Sequence, residues 1–173
     1  MQTIAALYID PTGHYPTIPG VDCWDESRDA RLYPGPYPVI AHPPCGPWGR
    51  FAWKCEYQDK TLAPIAVDQV RTWGGVLEHP ASSGLWPYCG LPAVGAGPDA
   101  YGGFSALVYQ SGWGHRIEKA TKLYMVGVPW NAVVPMPRRS ASTIYSSLSA
   151  RERRLSPLAF AAWLVELARQ VRR

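Results

Sequence analysis

The chain has 173 residues, 47% of them hydrophobic and 17% charged. That balance fits one folded domain spanning 1–173 and excludes a disordered chain, and the apolar runs are too short and too interrupted to cross a bilayer. The net charge of +4 is modest but unevenly placed: Arg138, Arg139, Arg151, Arg153, Arg154, Arg169, Arg172 and Arg173 all fall in the last third, either as a phosphate-facing surface or as a solvated helix face and basic terminus.

The N-terminus lacks a basic region, an apolar core and a cleavage site, so a soluble, cytoplasmic protein is expected, with no membrane partner. Cys23, Cys45, Cys55 and Cys89 form no CxxC pair and are expected to be reduced thiols. The apolar run 4–9, closed by Asp10-Pro11-Thr12-Gly13, reads as a first strand. Residues 16–38, rich in proline, glycine and charge, read as a long connection. Val39 to Ala41 is the second strand. Leu62 to Trp73 has helical spacing, with Thr61 as cap and Gly74-Gly75 as stop, and a third strand follows at Val76-Leu77. This strand, helix, strand order predicts a parallel βαβ unit. Residues 102–109 and 122–128 predict an antiparallel pair at one edge, and 129–150 a mobile loop. The last helix is expected from Ser156 as cap and Pro157 at its first position, with Leu155 and Phe160 as a hydrophobic staple and Phe160, Leu164, Leu167 and Val171 facing the sheet. The fold class expected is therefore α/β, a reduced Rossmann-like sheet, mainly parallel with an antiparallel edge pair.

Chemistry concentrates at two strand ends. The run 39–45 ends in His42-Pro43-Pro44-Cys45, and 74–80 ends in Glu78-His79-Pro80, so Cys45 and Glu78 lie just past carboxyl ends, where open α/β sheets bind ligands. A thiolate there can attack C6 of a pyrimidine while a carboxyl group bonded at N3 stabilises the charge. The bland alternatives are a small buried thiol and a helix-capping acid. His79 and His115 read as hydrogen-bonded scaffold, Lys119 and Lys122 as solvated hairpin residues, and most tryptophans as core, although Trp48, Phe51 and Trp53 lie beside the thiol and could stack on a base. A metal site from His42, Cys45, His79 and either His115 or Cys89 is the weaker reading, since no tight ligand spacing is present; the metal expectation is none. Pro43-Pro44 also fits poorly as the Pro-Pro of amino-methyltransferases, because His42 and Cys45 flank it.

Pro44-Cys45 followed by Glu78 resembles the cytosine-5 DNA methyltransferases, with His79 where that family has asparagine. More loosely, Gly20 to Asp25, Ala41 to Cys45, Leu77 to Ala81 and Gly114 to Thr121 resemble short phage-borne, methyltransferase-like proteins, and in that form the likeness covers most of the chain. The resemblance implies a Rossmann-like, methyltransferase-like domain without a separate target-recognition domain, acting on DNA in a host cytoplasm. It implies Cys45 as nucleophile and Glu78 as the acid at N3, with His42, Pro44, His79 and His115 in support. S-adenosylmethionine would meet Asp10, Thr12 and Gly13, in a turn with one glycine where the family has several, and Arg50, Arg116, Arg138 and Arg139 would meet nucleic acid. The alternative is a non-catalytic nucleic-acid-binding or interaction protein that kept this scaffold and lost the cofactor.

Overall fold

The computed structural model describes residues 1–172; Arg173, the last of the tail arginines, lies outside the described residues. Six strands form one sheet: β1 (Ile4–Leu7), β2 (Val21–Trp24), β3 (Val39–Ala41), β4 (Gly75–Pro80), β5 (Phe104–Tyr109) and β6 (Ala120–Val126). Their spatial order is β2-β1-β3-β4-β6-β5. The first four run parallel, and β6 is antiparallel to both β4 and β5. The molecule is mixed α/β, mostly parallel with an antiparallel pair at one side.

β1 and β3 are buried along their whole length and β4 over Gly75 to Leu77, as short apolar segments covered on both faces should be. One face, with Leu7, Ala41, Leu77 and Tyr124, packs on α1 (Leu62–Trp73) through Ala63, Ala66, Val67 and Val70. The other, with Ile4, Ile40, Val76 and Met125, packs on the last helix through Phe160, Leu164, Val165 and Leu167, while Val171 packs against its edge half-buried. Two short helices, α2 (Leu85–Tyr88) and α3 (Ala150–Arg154), precede this last one, α4 (Leu158–Ala168). No helix of the described residues is long and apolar enough to cross a membrane.

Several expected details shift. A strand, β2, lies inside the segment expected to be only a connection; all four of its residues are half-buried and its single neighbour is β1. The same segment holds a turn over 26–29 that leads into a 3-10 turn at Ala30–Leu32. Thr61 occupies the N-cap of α1, yet its side chain makes no capping bond; instead Asp59 Oδ1 accepts from the Thr61 N–H at 2.8 Å. Pro157, not Ser156, is the N-cap of α4.

Glycine sets the β3–β4 junction. The chain leaves α1 through Gly74 (φ 71°) and enters β4 through Gly75 (φ 124°), where a Cβ would overlap the Val39 carbonyl oxygen. Only glycine permits that approach of the two backbones. Ala41 is thereby in register with Leu77, and the loop carrying Cys45 emerges beside Glu78.

Candidate active site

The loops leaving the carboxyl ends of β1 to β4 enclose a cavity of about 1470 Å3. At β1 the connections diverge, since β2 lies on one side of it and β3 on the other, and such a reversal opens a crevice at the strand ends. The cavity wall contains Tyr8 to Pro11, Gly13 to Tyr15, Asp25 to Ser27, His42 to Cys45 and Glu78, and the opposite wall contains Ile117 to Lys119 and Ala150 to Ser156, less Glu152.

Strand alternation decides which side chains reach it. In β4, Val76 faces α4 and Leu77 faces α1, so Glu78 follows Val76 toward the cavity. His79 follows Leu77 and is fully buried on the far face. After β3, His42 follows Ile40 to the same side as Glu78.

His42 joins three elements. Its Nδ1 lies 3.2 Å from Glu78 Oε2, and its Nε2 lies 2.6 Å from the Tyr15 hydroxyl. A proton on Nδ1 and a lone pair on Nε2 satisfy both partners: the ring donates to the carboxylate and accepts from the phenol. Gln110 Nε2 donates to Glu78 Oε1 at 2.9 Å and to Thr121 Oγ1 at 3.0 Å. Both carboxylate oxygens are therefore occupied. Burial alone would push the Glu78 carboxyl up, but the hydrogen bond and charge of His42, with Lys119 and His79, outweigh it and hold it at about 2.

Cys45 lines the cavity as a half-buried thiol and N-caps the 3-10 turn Gly46–Trp48 without a side-chain cap bond. Burial and the Glu78 charge push its pKa above the ordinary thiol value, and the Lys119 ammonium pulls the other way. At neutral pH the free site thus carries a proton on sulfur and none on Glu78. Lys119, at a left-handed backbone position (φ 39°), sends Nζ to the Arg154 carbonyl at 2.8 Å. It is part of the cavity wall, not a solvated hairpin residue. Burial lowers its pKa, and Glu78 and Cys45 oppose that shift.

The other expected residues divide. Pro44 lines the cavity, and its backbone faces the His79 ring. No side-chain hydrogen bond of ordinary geometry holds either His79 nitrogen, and burial pushes this imidazole down to about 4. His115 is outside the cavity wall and accepts at Nδ1 from the Ile117 N–H at 3.2 Å. His42 and His79 fall on opposite faces of the sheet, so the ligand set weighed for a metal is not gathered. Asp10 and Gly13 line the cavity, but Asp10 Oδ1 accepts from the Thr12 N–H at 2.8 Å and hydroxyl at 2.7 Å, and the Gly13 N–H donates to the Asp10 carbonyl at 2.9 Å. This turn closes on itself.

None of the four arginines expected at nucleic acid lines the cavity. Arg50 lies beside the Phe51 ring at 5.7 Å, Arg116 pairs with Glu152 at 3.3 Å, Arg138 pairs with Glu118 at 2.7 Å, and the Arg139 backbone N–H donates to Ser111 Oγ at 3.2 Å. Arg151, Arg153 and Arg154, named in the sequence only as part of the basic tail, line it instead. Arg151 Nη2 donates to Thr12 Oγ1 at 3.0 Å, and Arg153 lies 4.8 Å from the Tyr145 ring centre. The pairings of Tyr15 and Gln110, with partners 27 and 32 positions away, are made by the fold.

Neither a protein-family model nor a curated protein nor a solved structure matches the chain.

Proposed function

We propose that the chain modifies DNA by cytosine-5 methyltransferase-like chemistry, adding the Cys45 thiolate to C6 of a pyrimidine on a reduced Rossmann-like sheet. The reading is carried by one observation: adjacent parallel strands β3 and β4 deliver Cys45 and Glu78 into one cavity at the reversal of strand order. Arg151, Arg153 and Arg154 on the same cavity support a phosphate-bearing substrate.

The charge state of the free site sets the order of events. As the base enters, the Glu78 carboxylate exchanges a neighbour for the ring, takes the thiol proton and passes it to N3. Sulfur bonds to C6, the C5–C6 π pair shifts toward C4, the C4–N3 π pair moves onto N3 with the proton, and C5 becomes nucleophilic. C5 then takes an electrophile and gives up its hydrogen to a base, after which sulfur leaves and N3 returns its proton. A proton from water is the electrophile that needs no further group. His42, clamped between Tyr15 and Glu78, keeps the carboxylate aimed at the ring.

S-adenosylmethionine would supply a methyl group at C5. The residues expected to hold it fit poorly, because Thr12 and Gly13 turn their N–H groups on Asp10, and no step is assigned to it. That self-closed turn favours the second reading, a nucleic-acid-binding protein without catalysis. A cytosine-containing oligonucleotide incubated with the protein in deuterium oxide, with no methyl donor, separates the two. The catalytic reading expects deuterium to replace the C5 hydrogen in a reaction that Cys45→Ser abolishes; the binding reading expects none.

A further inference from the structure

Most of the eight tryptophans belong wholly or partly to the interior, but Trp53 is 75% exposed, and Phe51 two residues before it is 62% exposed. Trp130, Tyr88 and Tyr145 are also exposed, and a ring exposed singly carries no meaning; a group of neighbouring rings does. Phe51 and Trp53 stand on the segment that continues directly from Cys45. Each cation of this segment lies against an aromatic face: Arg50 at 5.7 Å from the Phe51 ring, Lys54 at 4.7 Å from Trp53, and Lys60 at 5.3 Å from Trp48. Of its two acids, Asp59 is engaged by the Thr61 N–H and the Tyr57 hydroxyl, and Glu56 is exposed.

The segment has internal fastenings. Two 3-10 turns, Gly46–Trp48 and Ala52–Lys54, run in series, and Gln58 Nε2 donates to the carbonyls of Ala52 and Cys55. Cys55 packs against Gly46, where any side chain would overlap its sulfur. The Gly84 N–H donates to the Trp48 carbonyl at 2.9 Å, which fixes the start of the segment to the loop after β4. The rings are thus held at a set position relative to the thiol.

We infer that Phe51 and Trp53, with Arg50, Lys54 and Lys60, form a stacking platform for single-stranded DNA that leads to Cys45. Exposed aromatic faces interleaved with cations suit unpaired bases and their phosphates; the stacked bases of a duplex offer such rings no face. This goes beyond the proposed chemistry by naming the strand state of its substrate, and it rests on that reading only for the placement of a base at Cys45.

The test uses the full-length chain and a 20-nucleotide oligodeoxythymidylate, against a blunt duplex of equal length. Binding is followed by tryptophan emission and by anisotropy of a labelled strand across a salt series. The single strand should bind at least tenfold more tightly than the duplex. Trp53→Ala and Phe51→Ala should each weaken it about tenfold, in line with the removal of one base stack, while circular dichroism and thermal melting stay unchanged because both rings are exposed. Lys54→Gln should lower the slope of log affinity against log salt by about 0.7, the value for one neutralised phosphate on a single strand. The readout is equilibrium binding and contains no covalent step, so failure of the covalent chemistry leaves the platform intact. Equal affinity for duplex and single strand, or unchanged affinity in both aromatic variants, would overturn the platform while leaving the covalent chemistry to its own assay.

Discussion

His42 and Glu78, 36 positions apart, meet through Nδ1 and Oε2 at 3.2 Å, and this pairing holds the carboxyl at about 2 against its own burial. A carboxyl depressed below its unfolded value of 4.5 contributes stability that is complete above that pH and is lost as pH falls toward about 2. Glu78→Gln should therefore flatten the decline of stability between about pH 4.5 and 2 in denaturant titrations. In His42→Ala the carboxyl should titrate at a higher pH, read by carbon NMR of labelled glutamate; no upward movement would mean that His42 does not hold it.

His79 gives a separate acid response at higher pH. Its imidazole falls from 6.5 to about 4 because burial disfavours the cation. The unfolded chain takes a proton in this range that the folded chain refuses. Stability should be complete above pH 6.5 and decline by about 3 kcal/mol as pH drops to 4. His79→Gln should remove that slope, and its persistence in the variant would assign the response to another group.

Gly75→Ala should destabilise the fold by more than about 3 kcal/mol, because its Cβ would collide with the Val39 carbonyl at a left-handed position. The damage falls on the β3–β4 register that brings Cys45 beside Glu78. Chemical denaturation measures the loss; a near-neutral value would mean that the junction can shift.

Much of the frame was legible because it rests on local signals. The helix Leu62–Trp73 has the expected bounds, since its apolar spacing and glycine stop are local. Cys45 and Glu78 were visible as strand ends, and alternation alone sends Glu78 and His79 to opposite faces. β2 was hidden because its four half-buried residues, Val21-Asp22-Cys23-Trp24, flank a single partner strand and carry little apolar contrast. The partners of Tyr15 and Gln110 could not be found without the fold. Which arginines line the cavity was not legible, because it depends on partners distant in sequence: Arg138 and Arg116 find carboxylates at Glu118 and Glu152, while α3 turns Arg153 and Arg154 to the cavity.

Arg154→Ala should weaken oligonucleotide binding and lower the salt slope by about 0.7 for each phosphate left unneutralised, whereas Arg138→Ala, which breaks an exposed pair with Glu118 and a ring contact with Tyr109, should change neither appreciably. Anisotropy titrations across a salt series measure both. A larger effect from Arg138→Ala would place the phosphate path outside the cavity.

The addition of sulfur to C6 is tested most directly by hydrogen exchange at C5, which requires no methyl donor. A cytosine-containing single-stranded oligonucleotide is incubated with the protein in deuterium oxide, digested to nucleosides and weighed by mass spectrometry. Each cycle of addition, deuteration at C5, loss of protium and expulsion of sulfur leaves one deuterium on the ring. Mass gain is expected with the wild type, slowed roughly a hundredfold to ten-thousandfold in Glu78→Gln and absent in Cys45→Ser. No gain with the wild type on a strand it demonstrably binds, or an equal gain with Cys45→Ser, would contradict the assignment of Cys45 as the nucleophile.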